Sequence, residues 1–160
     1  VTPGKGLLFA IGGTAKQMFA VRPGGNGDVS ETHREWVAPR RGGRDLPSPI
    51  VIGDYLLVCS TKGILTCYKP STGNTLWEER IEGTFAAAPV AYGGLALFIN
   101  WDGETVVVKP SKTPTIVARN QLNSADDEIF RASVIPSDGQ VFIRSNSVLY
   151  CIGNRTTSVD

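Results

Sequence analysis

The chain has 160 residues, 41% of them apolar, which is enough for a core of ordinary domain size and argues against a disordered segment. Its 16 basic and 15 acidic residues leave a formal charge of +1, so bulk charge points neither to nucleic acid nor to an anionic membrane surface. No apolar run approaches the ~20 residues of a membrane-spanning helix, and no membrane span is expected.

The chain opens with Val1-Thr2-Pro3-Gly4, without an initiator Met or a charged-then-apolar leader, and reads as a fragment or a processed product. The 18 glycines and 10 prolines are spread along its length, the pattern of many turns between short strands. Four apolar segments follow in order: LLFAI (7 to 11), YLLVC (55 to 59), LALFI (95 to 99) and QVFIR (140 to 144). Each is followed by a polar or glycine-containing turn and a second apolar segment, namely MFAVRP, LTCYKP, VVVKP and VLYCIG. Three of these second segments end in a basic residue and proline: Arg22-Pro23, Lys69-Pro70 and Lys109-Pro110.

Aligning Ile11, Val58, Phe98 and Ile143 gives spacings of 47, 40 and 45 residues, the period of a four-stranded blade in a radial repeat. Leading strands are expected from Ser48-Pro49-Ile50, Ala88-Pro89-Val90 and Ser133-Val134-Ile135, and trailing strands at Arg34 to Val37, Thr75 to Glu78 and Thr115 to Ala118. With strands named A to D, the chain reads BCD, ABCD, ABCD, ABC. This gives a partial blade over 1–47, blades over 48–87 and 88–132, and a partial blade over 133–160. Segments such as Ala96-Leu97-Phe98-Ile99 do not alternate apolar with polar, so both faces are covered. That favours stacked blades over the competing sandwich of short hairpins with one wet face.

Pro70-Ser71-Thr72-Gly73-Asn74-Thr75-Leu76-Trp77 joins strands C and D of the second blade. Gly73 permits the positive φ of a tight turn, and Trp77 offers a broad apolar surface to the seam between blades. The Thr72-Gly73-x-x-x-Trp77 pattern resembles the tryptophan-docking motif of PQQ-like (quinoprotein-like) propeller repeats, although Lys69-Pro70 stands where that family usually carries an acidic residue. The matches are looser from Asp28 to Trp36 and from Ser111 to Ile116. The resemblance implies an all-β fold of four-stranded antiparallel blades, about half of a seven- or eight-bladed propeller, similar to the C-terminal half of secreted bacterial PQQ-binding-like repeat proteins. It also implies a periplasmic or extracellular location. Some members of the family are quinone-dependent alcohol or sugar dehydrogenases and others only bind partners, so fold is better determined than chemistry.

A quinone site of that kind needs calcium held by several oxygens, a carboxylate base and, in many members, a disulfide of adjacent cysteines. Cys59, Cys67 and Cys151 include no adjacent pair. Asp126-Asp127-Glu128 lacks calcium-loop spacing and reads as a solvated connection between blades. His33 is the only histidine, so no histidine cluster can form. Gly12 to Lys16 and Gly24 to Gly27 lack phosphate-loop spacing and read as turns. No catalytic, cofactor-binding or metal residue is therefore assigned, and PQQ with calcium belongs only to the dehydrogenase alternative, with a site completed by further blades. Cys59 and Cys67 lie on neighbouring strands where a cross-strand bridge is open to them. The equivalence of Cys151 with Cys67 instead favours small buried apolar residues.

The expected function is a non-catalytic scaffold that binds a protein or cell-envelope component. In a propeller the B-to-C turns and D-to-A connections share one end, and here they carry Lys16, Arg40, Arg41, Arg44, Lys62, Trp101 and Asp102. Exposed Trp and Arg are favoured interface anchors, and Trp101 at a hairpin tip has little core to enter. The alternative is that it folds back over its blade. Incomplete blades at the two ends also expose strand edges, from which self-association is expected.

Overall fold

A computed structural model of the chain describes residues 1–12, 17–39 and 47–153. These residues form fifteen strands and no helix. The first blade holds β1 (Thr2–Gly4), β2 (Leu7–Ile11), β3 (Gln17–Val21) and β4 (Arg34–Pro39). The second holds β5 (Ile50–Ile52), β6 (Tyr55–Cys59), β7 (Ile64–Tyr68) and β8 (Thr75–Arg80). The third holds β9 (Val90–Tyr92), β10 (Leu95–Ile99), β11 (Glu104–Val108) and β12 (Ile116–Gln121). The fourth holds β13 (Ile135–Ser137), β14 (Gln140–Arg144) and β15 (Leu149–Gly153). Within each blade the strands pair antiparallel in chain order. No described helix is long and apolar enough to cross a membrane.

Two sequence expectations are corrected. The first blade is complete, because Thr2 to Gly4 pair with Phe9 to Leu7 as a leading strand. Three residues that include Pro3 and Gly4 carry no apolar pattern, so composition hides this strand. Its glycine is explained by packing: a Cβ at Gly4 would lie 2.8 Å from the Val51 side chain of the next leading strand. Thr2 Oγ1 also donates to the Pro49 carbonyl at 2.6 Å, tying the two leading strands together.

The second correction is one of register. Ala10, rather than Ile11, is the counterpart of Val58. Ile11 points forward into the seam with the second blade, whereas Val58 points back into the same seam from the other side. In a strand a one-residue shift reverses the face, so the aligned quartet is Ala10, Val58, Phe98 and Ile143.

Each seam is an apolar layer built from alternate residues of the facing sheets. Phe9, Met18 and Ala20 meet Leu56, Val58 and Tyr68. Leu57, Cys59, Leu65 and Cys67 meet Ala96, Phe98, Val106 and Val108. Leu97 and Ile99 meet Val134 and Ile143. Successive residues of β6 and β10 thus serve opposite neighbours, which is why the sequence shows unbroken apolar runs. Trailing strands are the outer edges, and charged residues such as Glu78, Arg80 and Arg119 blunt them against further pairing. Every trailing strand carries a register shift at the same place: Ala20/Val21, Cys67/Tyr68 and Val107/Val108.

The B-to-C turns and D-to-A connections are stitched together by backbone hydrogen bonds, which fixes them at one end. Phe85 N–H donates to Thr61 O at 2.9 Å, and Phe130 N–H donates to Trp101 O at 3.0 Å. Both phenylalanines are fully buried, so they anchor equivalent connections one blade apart.

Candidate partner-binding surface

Tryptophan docking follows one geometry at two seams. Trp36 Nε1 donates to Pro70 O at 2.9 Å, and Trp77 Nε1 donates to Ser111 O at 2.9 Å. In each case an indole on a trailing strand reaches the C-to-D turn of the next blade. The Thr72-Gly73 turn therefore receives Trp36 of the first blade rather than the Trp77 that follows it in sequence. Gly73 has φ +72°, and a Cβ there would stand 2.6 Å from the Trp36 ring. In the third blade Ala118 occupies the register position of Trp77, and the dock is not repeated.

At the stitched end, Lys62 is exposed in the second B-to-C turn, and Asp102 is exposed in the third. Asn100 organises that third turn: its Oδ1 accepts from the N–H groups of Asp102 and Glu104, both at 3.0 Å. Arg40, Arg41 and Arg44, like Lys16, lie outside the described residues.

Trp101 does find surroundings to enter. It is half-buried, its N–H donates to Thr84 O at 2.8 Å, and its carbonyl accepts from Phe130. The Arg131 guanidinium carbon stands 4.4 Å from the ring centroid, a cation–π stack that covers one face of the indole. The indole N–H is buried and has no partner among the described residues. Trp101 is thus a braced residue rather than a free tip. Arg131 is the member of this end that sequence reasoning missed; its only signal is its place directly after Phe130, the counterpart of Phe85.

The acidic run divides. Asp126 and Asp127 are exposed, whereas Glu128 turns inward and is 9% exposed. Glu128 Oε1 accepts from Tyr150 Oη at 2.7 Å and from Ala125 N–H at 3.0 Å. Hydrogen bonds from the Ser145 and Tyr150 hydroxyls hold its carboxyl below the ordinary range, and the same contact pushes the Tyr150 phenol up. The expectation of a wholly solvated run therefore fails at Glu128, which braces the fourth blade. Among the described residues no group of three metal-ligating side chains converges.

All three cysteines are free thiols. In register Cys59 faces Leu65 and Cys67 faces Leu57, so the two are staggered rather than opposed. Burial alone pushes both thiols up to about 12, which makes them inert filling. Cys151, expected to be buried by analogy with Cys67, is exposed. His33 Nδ1 lies 2.8 Å from the neighbouring Thr32 Oγ1.

At the opposite end, a 610 Å³ depression is lined by Lys5, Leu7, Arg22, Glu35, Asp54 and Pro70, with Lys69 at its rim. It is the larger cavity, but most of its charge is internally neutralised. Lys5 pairs with Asp54 at 2.7 Å and Arg22 with Glu35 at 2.5 Å.

A family model described as outer membrane protein assembly factor BamB matches residues 20–123, more than half of the chain. The chain belongs to this PQQ-like propeller-repeat family. A search of curated proteins finds no match. Among solved structures, BamB from Moraxella catarrhalis superposes with a TM-score of 0.67 at 17% identity, covering 91% of this chain and 42% of that one. The computationally designed protein Ika4 gives a TM-score of 0.67 at 9% identity, covering 94% of this chain and 86% of that one. A europium-containing methanol dehydrogenase gives 0.57 at 11% identity, covering 78% of this chain and 24% of that one. At such identities the likeness is one of fold: the four sheets are consecutive blades of a PQQ-like propeller. The chain spans about two fifths of the Moraxella BamB.

Proposed function

We propose that the chain is a non-catalytic propeller scaffold that binds a protein component of the cell envelope, in the periplasm or outside the cell. It does so through the end that carries the B-to-C turns. The observation that carries this reading is Trp101, held half-open by Thr84, Phe130 and Arg131 beside exposed Asp102, in a chain of the BamB-described family. A braced indole next to an arginine loses little conformational freedom on binding, which is what makes such residues effective anchors. The opposite depression supports the reading less, because its ion pairs would have to be broken first. The scaffold works without quinone or calcium, and adding both is expected to leave its absorption spectrum unchanged.

The test is site-specific photo-cross-linking in envelope extract. A cross-linker at Lys62 or Asp102 is expected to capture a discrete protein, and one at Lys112, in a C-to-D turn at the other end, is not. Equal capture from both ends, or capture only at Lys112, refutes the assignment.

A further inference from the structure

The A-to-B turns of the four blades are Lys5-Gly6, Gly53-Asp54, Gly93-Gly94 and Asp138-Gly139. The first residue of every turn lies in the left-handed region, at φ of 51°, 57°, 56° and 48°. Glycine adopts that region freely and Asp tolerates it, but a lysine there is strained. At the second position the other three turns carry Gly6, Gly94 and Gly139, and Asp54 stands in their place in the second blade. Lys5 and Asp54 are thus departures from the repeat, and they meet across the seam between the first and second blades at 2.7 Å.

A second departure lies beside the first. The register shift of each trailing strand leaves one residue unpaired: Glu35 in the first blade, Leu76 in the second and Val117 in the third. Of these, Glu35 alone is charged, and it takes the Arg22 guanidinium at 2.5 Å. Lys5, Asp54, Arg22 and Glu35 all line the 610 Å³ depression, together with Leu7 and Pro70. Tyr55 holds in the second blade the register position of Leu7 in the first, and this larger side chain packs against the next seam. Every lining residue belongs to the first or second blade, so the depression is the mouth of a seam whose two sides are both present. In a stack of repeats, strain and departures gathered round one cavity point to a role that the fold itself does not require.

Size and chemistry narrow the occupant. Lys5 Nζ faces Asp54 Oδ1 and Arg22 Nε faces Glu35 Oε1, which leaves each pair further N–H groups and a second carboxylate oxygen. All four side chains stay partly exposed, so those groups are reachable with both pairs intact. An anion would meet a carboxylate beside each cation, and a cation would meet the reverse. A trans peptide unit carries its N–H and C=O on opposite sides and cannot serve both members of a pair 2.7 Å apart. A hydroxyl does so at a single oxygen, donating to the carboxylate while accepting from the ammonium or guanidinium. Leu7 and Pro70 offer an apolar surface to the C–H face of a ring, and 610 Å³ falls within the ~300–1,000 Å³ of small-molecule sites.

We propose that this depression binds a neutral saccharide, whose hydroxyls bridge the Lys5–Asp54 and Arg22–Glu35 pairs while a ring face rests on Leu7 and Pro70. The site is separate from the partner surface at the stitched end and does not rest on the scaffold reading.

The test is a titration of the isotopically labelled chain with maltose, cellobiose or N,N′-diacetylchitobiose, followed by amide chemical shifts. At least one of these neutral disaccharides is expected to shift Gly6, Leu7 and Ser71 with a Kd of about 1–10 mM, and to leave Lys62 and Asp102 in place. The affinity is expected to hold within about two-fold between ~0.05 and ~0.5 M salt, since the ligand is uncharged. Lys5→Gly, which restores the glycine of the next two blades and relieves the backbone, is expected to weaken binding about ten-fold or more. Leu7→Tyr, which introduces the side chain of the second blade, is expected to fill the depression and abolish binding. If none of the three sugars shifts these amides, or if the shifts spread equally to the stitched end, the proposal falls. Unchanged binding by Lys5→Gly overturns it, because the ion pair then plays no part. Displacement of the sugar by about 0.1 M sodium acetate would make this a simple anion site and also overturns it.

Discussion

Gly73→Ala tests the seam between the first and second blades. Two costs are expected. An L-residue at φ +72° costs about 1–2 kcal/mol relative to glycine. The new Cβ would meet the Trp36 ring at 2.6 Å, where carbon atoms prefer 3.5–4.0 Å, so the ring must retreat by about 1 Å. Overpacking of this kind costs about 1–3 kcal/mol, and the retreat also strains the bond from Trp36 Nε1 to Pro70 O. The total is about 2–5 kcal/mol, or a fall in Tm of about 4–20 °C for a chain of this size. The two costs separate in a double-mutant cycle measured by urea denaturation. In a Trp36→Ala background the clash disappears, and Gly73→Ala should then cost only the backbone term of about 1–2 kcal/mol. If Gly73→Ala costs the same in both backgrounds, the turn is not selected by the incoming indole and the docking argument fails.

Trp77→Phe keeps a ring in its seam but loses the bond to Ser111 O, and a loss of about 1 kcal/mol is expected; Trp77→Ala should lose about 3–5 kcal/mol, with both read from denaturation midpoints. Cys151 should react with a disulfide reagent in the native chain at pH 8, whereas Cys59 and Cys67, pushed up to about 12, should react only on unfolding. Three fast thiols would show that the second seam opens readily. The Glu128 carboxyl is lowered in the fold, so its contribution is present above the ordinary carboxylate value of about 4.3 and is lost as pH falls through the folded value. The Tyr150 phenol is raised, so its contribution is present below about pH 10 and is lost as pH rises through the folded value. Tyr150→Phe should flatten both limbs of Tm against pH, and unchanged limbs would remove this pair from the account.

The B and C strands were legible because their register places both faces against neighbouring blades, leaving unbroken apolar runs such as Leu56-Leu57-Val58 and Val106-Val107-Val108. The first leading strand was not, because Thr2 to Gly4 are held by a hydroxyl bond and a close backbone approach, neither of which has an apolar signature. Trp77 was legible as a seam residue, but its partner was not: the indole docks 34 residues ahead, on a turn without the Thr-Gly pair. Trp101 was singled out by type and position, while its bracing by Thr84, Phe130 and Arg131 depends on connections whose paths no local pattern reports. Arg131 was missed for the same reason. An arginine in a loop says nothing until the loop's anchor, Phe130, is known to be buried.

Cys67 and Cys151 isolate what a neighbouring blade contributes. They are the same residue at the same register, one paired with Leu57 and the other with Phe142, yet Cys67 is fully buried and Cys151 is exposed. The difference therefore comes from the layer packed on top: Ala96, Phe98, Val106 and Val108 cover Cys67, and no described residues play that part for Cys151. The same holds at the other end of the stack, where Val37 is 41% exposed on the outward face of the first blade. Burial here is a property of seams, and each seam closes only when two sheets meet. The turns at the stitched end are bonded across those seams, from Trp101 to Thr84 and from Asn146 to Ile129. The positions of Trp101 and Arg131 consequently depend on how well the seams beneath them are formed, so a mutation that loosens the seam between the third and fourth blades should weaken the partner binding proposed above without touching the surface.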